Sequence, residues 1–181
     1  MSQALIMAIR HGEKPSDDGQ IAGVDPAGIP SKDELSVRGW QRAGALAVLF
    51  SNPGLRPGLQ KPHRLFAPET TQHVTSERAF RTLEPLSELL GLTTSTAFKK
   101  DQEDKLAEAL APLPGVTLVA WEHHALLPFA NALLGRDDVS PQDWPDDRFD
   151  IVWTFEKTND GWDFKQVPQM LLQGDSPEPL R

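Results

Sequence analysis

The sequence contains no cysteine. That excludes disulfides, thiolate metal sites and a cysteine nucleophile, and says little about compartment. It has no apolar run of about 18 residues, the length a membrane-spanning helix needs. The apolar N-terminal stretch is short, lacks a basic start and meets Arg10 at once, so it does not read as a secretory leader. A cytoplasmic location without membrane contact is the expectation. Positive charge is scarce: 18 Lys and Arg stand against 26 Asp and Glu, a formal net charge of −8. A nucleic-acid binder needs a basic face, so no nucleic-acid partner is expected. Several catalytic signatures are also missing. There is no Gly-x-Ser-x-Gly elbow and no Gly-x-x-x-x-Gly-Lys phosphate loop. There is no His-x-x-x-His or His-x-Asp pair, and the histidines that matter lie beside arginines that would repel a cation. Neither a metal nor a cofactor is expected.

What is present fits one soluble domain of 181 residues, with 39% hydrophobic and 24% charged positions. The expected domain spans 1–172, followed by a loose polar tail over 173–181 that holds two prolines. Ala4 to Ile9 is an uncharged apolar run closed by Arg10-His11-Gly12. It reads as a buried strand feeding a functional loop. Glu13 to Lys32 has no apolar periodicity and reads as a long loop over the strand ends. Ser36 caps a helix over Val37 to Phe50, with Trp40, Ala43, Leu46, Ala47 and Phe50 at helical spacing. Asn52-Pro53-Gly54 stops it.

A short strand is expected over Arg64 to Ala67, then a helix over Glu77 to Leu90 capped by Ser76 and stopped by Gly91. Ser95 to Phe98 reads as a short strand and Gln102 to Leu110 as a helix. Val116 to Trp121 is a second buried strand, ending at Glu122-His123-His124, and a helix follows over Ala125 to Leu134. Ile151 to Glu156 and Trp162 to Val167 flank Asn159-Asp160-Gly161 and read as a hairpin. That places an antiparallel pair in an otherwise parallel sheet.

Two buried strands far apart in sequence thus each end in a histidine, His11 and His123. Helical crossovers between them bring both to one sheet edge, where α/β proteins bind ligands. Arg78, in the first turn of the second helix, can point to the same edge. Two arginines and two histidines make an anion cage: guanidinium forks match phosphate oxygens, and a neutral imidazole can attack phosphorus.

Arg10-His11-Gly12, then Leu35-Ser36-Val37-Arg38-Gly39, then Arg78-Ala79-Phe80-Arg81-Thr82, then a strand ending at His123, resembles the histidine phosphatase superfamily, the phosphoglycerate mutases and related phosphatases. Trp121-Glu122-His123 and Asp150-Ile151-Val152-Trp153 resemble a small bacterial branch of it. The resemblance implies a three-layer α/β/α sandwich whose mixed, mostly parallel sheet has one antiparallel strand. It implies Arg10 and Arg78 as phosphate ligands, His11 as the nucleophile that becomes phosphohistidine, and His123 as the second histidine holding the transferring group. Where many members carry Ser-Pro, this chain has Ala67-Pro68-Glu69.

The implied activity is hydrolysis of a small phosphomonoester. A phosphate- or phosphoprotein-binding module without turnover, or a phosphomutase, are the alternatives. Glu122 and Glu13, beside the histidines, are the first candidates for the proton donor, then Glu103 and Asp101. Lys14 and His124 are candidate substrate contacts. Arg81 reads as a surface or ion-pair residue, His63 and His73 as solvated, and Trp121, Trp153 and Trp162 as core. Trp40 fits either core or lid. Substrate identity and oligomeric state are not legible.

Overall fold

The structure, a computed structural model, describes residues 4–52, 54–70, 76–138 and 141–181. Strand β1 (Leu5–Arg10) is buried along its whole length, as is β4 (Val116–Trp121). Continuous burial is what an apolar run without alternation requires of a central strand. The other strands are β2 (Arg64–Phe66), β3 (Thr94–Ser95), β5 (Ile151–Thr158) and β6 (Gly161–Pro168). They form one sheet in the order β3-β2-β4-β1-β5-β6. β1, β2, β3 and β4 run parallel, β5 runs antiparallel to β1, and β6 returns antiparallel to β5. The C-terminal hairpin and the single reversed strand are therefore as the sequence indicated.

Helices α1 (Val37–Ser51) and α2 (Arg78–Leu90) cover one face of the sheet. α3 (Glu103–Leu110) and α4 (His123–Leu134) cover the other. In α1 the buried positions Ala43, Leu46, Ala47 and Phe50 meet Met7, Ile9 and Leu118 on the near face. On the far face Trp121, Trp144 and Trp153 are fully buried around Phe129 and Phe155. The result is a three-layer α/β/α sandwich.

Three local expectations are corrected. Ser76 does not cap α2: the helix starts at Arg78, with Glu77 at the cap position and no side-chain cap bond. α4 starts two residues earlier than apolar spacing suggested, at His123, because the Glu122 carboxylate accepts a hydrogen bond from the His124 amide and caps it. Trp162 is only half-buried: it packs against the margin of the far-face core at the sheet's edge, under Lys157, whose ammonium lies 4.6 Å from its ring centre.

The tail is not loose. Leu180 is buried, and its backbone is held by Gln166 at both N–H and C=O. The Ser176 amide donates to Asp150. Asp175, only 2% exposed, receives Arg42 Nη2 at 2.7 Å and the amides of Leu171 and Leu172. Arg42, as deeply buried, also forks onto Glu13 and reaches Gln169. Burial alone would lower the Arg42 pKa, but its bonds to Asp175 and Glu13 outweigh that and raise it. Deleting one partner of such a buried pair strands the other charge. Asp175→Ala should therefore cost about 3 kcal/mol of stability in urea denaturation. A loss below about 0.5 kcal/mol would show the tail to be dispensable.

Candidate active site

The site begins with strand register. β1 and β4 pair in parallel with Arg10 opposite Trp121, and the His11 amide donates to the Trp121 carbonyl at 3.1 Å. The two strands stop together, so His11 and His123 leave the same sheet edge. Arg78 opens α2 beside them. His11, Arg78 and Glu122 line one cavity of about 160 Å³ with Pro68, Ala79 and Lys100.

The loop carrying His11 is fixed by close backbone contact. The Gly12 amide donates to Thr82 Oγ1 at 2.8 Å, and that hydroxyl donates to the Arg78 carbonyl at 2.7 Å. A Cβ at Gly12 would lie 2.8 Å from the Gly39 carbonyl oxygen, and one at Gly39 would lie 2.4 Å from that of Glu13. No side chain fits between the loop and α1, which gives both glycines their reason. Ser36 adds a second tie: its hydroxyl donates to the Glu13 carbonyl and accepts from the Gly39 amide.

His11 is 6% exposed, and its Nδ1 donates to the Gly12 carbonyl at 2.7 Å. That bond fixes the tautomer and leaves the Nε2 lone pair free. Burial, then the positive field of Arg10 and Arg78, pushes the His11 pKa down to about 3, against the opposing pull of the Gly12 carbonyl. The ring is a neutral base at physiological pH.

Arg10 is fully buried. Its Nη1 donates to the carbonyls of Pro145, Asp146 and Arg148, at 2.8–3.1 Å, and its guanidinium carbon sits 3.8 Å from the Phe149 ring centre. Burial lowers its pKa to about 10, with Asp146 and Glu122 opposing, so it stays charged at neutral pH. Arg78 Nη1 donates to the Lys32 carbonyl at 3.2 Å, which ties the long loop to the cage. Its pKa is likewise lowered by burial. Among the described residues, Arg10 Nε, Arg10 Nη2 and Arg78 Nε are buried and have no hydrogen-bond partner. Unpaired buried donors are costly in a folded protein and call for an acceptor.

His123 lies between two carboxylates. Its Nε2 is 2.8 Å from Asp146 Oδ1 and its Nδ1 is 2.9 Å from Glu122 Oε1, the second contact without hydrogen-bond alignment. Burial pushes the Glu122 carboxyl up, but His123, the His124 amide and Lys100 outweigh it and hold the pKa down to about 2. Glu122 is therefore ionised at neutral pH and cannot donate a proton in the free site. Glu122, His123 and His124 offer three ligand atoms within 4.8 Å of one another, yet Lys100 stands 3.6 Å from Glu122 and Arg10 is close by, a field that disfavours a cation.

The structure brings His11, Arg10, Arg78 and His123 to one edge, with Glu122 among them. It does not bring Glu13: that carboxylate turns back to Arg42 and Arg38, four hydrogen bonds away from proton-donor duty. Lys14 is not among the residues lining the cavity; its ammonium pairs with Asp17 at 3.5 Å. His124 is exposed and its ring stacks on His123 at 3.9 Å. Glu103 is buried but accepts from the Trp121 indole, and Asp101 donates its amide to the same carboxylate. Arg81 pairs with Glu34 and Glu84, as an ion-pair residue should. His63 is exposed, with Nδ1 accepting from the Val116 amide. Trp40 anchors the long loop by donating its indole N–H to the Val24 carbonyl. His73 lies outside the described residues. Sequence reasoning missed Asp146, Phe149 and Lys100, which sit in polar loops with no periodic pattern.

No protein-family model matches the chain, and no curated protein matches it by sequence. Solved structures do match. A phosphoserine phosphatase mutant from Entamoeba histolytica in complex with phosphoserine superposes with a TM-score of 0.58 at 13% identity, over 93% of this chain and 99% of that one. The protein histidine phosphatase SixA complexed with tungstate gives 0.57 at 15% identity, over 91% and 97%. A phosphoglycerate mutase from Plasmodium falciparum gives 0.55 at 10% identity, over 99% and 100%. These likenesses show the fold, which is phosphoglycerate mutase-like over nearly the whole chain.

The depressed basicity of His11 has a direct readout. Its ring resonances should stay flat between pH 8 and pH 5 in an NMR titration, since the folded ring protonates only near pH 3. The unfolded ring protonates near pH 6.5, so between those values the unfolded chain binds a proton that the folded chain does not. Stability should fall as pH drops through that window. A His11 midpoint near 6.5 would show that the ring is not desolvated.

Proposed function

We propose that this chain is a histidine-dependent phosphatase. It transfers a phosphoryl group from a small phosphomonoester to His11 Nε2 and then to water. The observation that carries this reading is the set of buried, unpartnered guanidinium nitrogens on Arg10 and Arg78 around a neutral His11. A phosphoryl group supplies the acceptors those donors need, and its phosphorus supplies the electrophile that a free Nε2 attacks.

The chemistry follows from what each residue can do. His11 keeps its nucleophilic lone pair because Nδ1–H is committed to Gly12. Arg10 is braced by three carbonyls on one nitrogen, so its remaining N–H groups are aimed without further ordering. Such pre-set donors stabilise the equatorial oxygens as charge shifts in the transition state. His123 completes the ring around the transferring group. The fold shared with a phosphoserine phosphatase and with SixA supports the reading, as does the tungstate in the latter. With Glu122 ionised in the free site, a leaving group that needs no proton should depart fastest.

p-Nitrophenyl phosphate is the direct test. Wild-type protein should turn it over faster than an alkyl phosphate. His11→Ala should abolish turnover and the acid-labile, alkali-stable phosphoryl label on the protein. Arg78→Ala should lower kcat by about 10²–10³-fold. Turnover that survives His11→Ala would overturn the reading, and tight phosphate binding without turnover of any phosphoester would make the chain a phosphate-binding module.

A further inference from the structure

The loop that follows Trp144 touches three members of the cage. The main-chain oxygens of Pro145, Asp146 and Arg148 accept from Arg10 Nη1, that of Asp146 at the shortest distance, 2.8 Å. The Phe149 ring centre lies 3.8 Å from the Arg10 guanidinium carbon and 6.1 Å from the His11 ring centre. The Asp146 carboxylate meets His123, with Oδ1 2.8 Å from Nε2. One residue thus holds Arg10, which ends β1, through its backbone, and His123, which opens α4, through its side chain.

The backbone of this loop is fixed by contacts outside the cage. Trp144 is fully buried, and its indole N–H donates to the Arg148 carbonyl at 2.9 Å. The Arg148 amide donates to the Pro145 carbonyl at 3.1 Å. The Arg148 guanidinium donates to Asp150 and to the Glu178 carbonyl of the tail, each at 2.7 Å. The Asp146 side chain itself is 77% exposed. It packs no core, so the fold does not depend on it.

The contact with His123 chiefly, then the charges of Arg10 and Lys14, hold the Asp146 carboxyl below its usual range. An ionised carboxylate can only accept, so Nε2 carries a proton and donates it. On the other side of the ring, the Glu122 contact at Nδ1 is not aligned as a hydrogen bond. Among the described residues, then, the aligned hydrogen bond of the His123 ring is the one to Asp146. Such a bond decides which nitrogen of an imidazole is protonated and where the ring points.

We propose that Asp146 is a positioning residue: its carboxylate sets the tautomer and orientation of His123, and its main-chain oxygen ties that ring to Arg10. The inference rests on the phosphatase reading of the site. Asp146 acts on the transferring group through His123 and Arg10 and does not touch it.

Kinetics on p-nitrophenyl phosphate with the full chain test it. Asp146→Ala keeps the main-chain brace on Arg10 and removes only the acceptor at His123. It should lower kcat about 10–10²-fold, the cost of a misplaced group, with KM and the thermal midpoint unchanged. Asp146→Asn keeps an acceptor oxygen in place and should recover most of the loss, which a purely structural role would not require. In long-range proton–nitrogen NMR spectra, His123 Nε2 should read as protonated in the wild type and lose that fixed signature in Asp146→Ala. Wild-type kcat in Asp146→Ala, unchanged His123 resonances, or Asp146→Asn no better than Asp146→Ala would overturn the inference with the phosphatase intact. So would a lower KM in Asp146→Ala, since the carboxylate would then compete with substrate for His123. A wild-type protein that turns over no phosphoester would overturn the phosphatase reading itself, and the inference with it.

Discussion

The parallel pairing of β1 with β4 is the constraint on which the site depends. Arg10 opposite Trp121 makes the two strands end level. Register in a sheet has a period of two, so a slip of one residue would send Arg10 to the other face and His11 into the core. Burial on both faces holds that register: every residue of both strands is buried, and Met7, Ile9 and Leu118 pack on one face while Ile6, Ala8 and Val119 pack on the other. The core therefore sets the geometry of the cage, and the cage needs no flexible element to assemble it.

The second constraint is electrostatic. An acidic chain holds one buried and one half-buried arginine, Arg10 and Arg78, at one edge and keeps them charged. Desolvation makes this costly, and the protein meets the cost by local acceptors: three loop carbonyls for Arg10, the Lys32 carbonyl for Arg78. The remaining buried donors find no partner among the described residues, and Arg78 lines the cavity beside His11. Burial chiefly keeps His11 neutral, and the same positive field that would draw in an anion adds to it. Behind the cage, Arg42 joins Glu13 of the His11 loop to Asp175 of the C-terminal segment, so distant parts of the chain close around the site.

The sequence made visible what depends on local pattern. Apolar runs marked β1 and β4, helical spacing marked α1 and α2, and the Asn159-Asp160-Gly161 turn marked the β5–β6 hairpin. Arg10, His11, Arg78 and His123 were legible because strand ends and a helix start carry them. Polar connections hid the rest. Nothing in Pro145-Asp146-Asp147-Arg148-Phe149 signals that its carbonyls brace Arg10 or that Asp146 meets His123. Glu13 looked like a proton donor because it stands two residues from His11, but its true partner is Arg42, 29 positions away. The docking of the tail escaped notice for the same reason, since a buried Asp175 is recognised only through Arg42.

The central claim is that Arg10, Arg78, His11 and His123 form one cage for a transferring phosphoryl group. A crystal soaked in vanadate tests it most directly. The account predicts vanadium bonded to His11 Nε2, with Arg10 Nε and Nη2 and Arg78 Nε each within about 3 Å of a vanadate oxygen. Vanadate bound elsewhere, or held in the cavity with His11 Nε2 unbonded and the arginine nitrogens still unpaired, would contradict it.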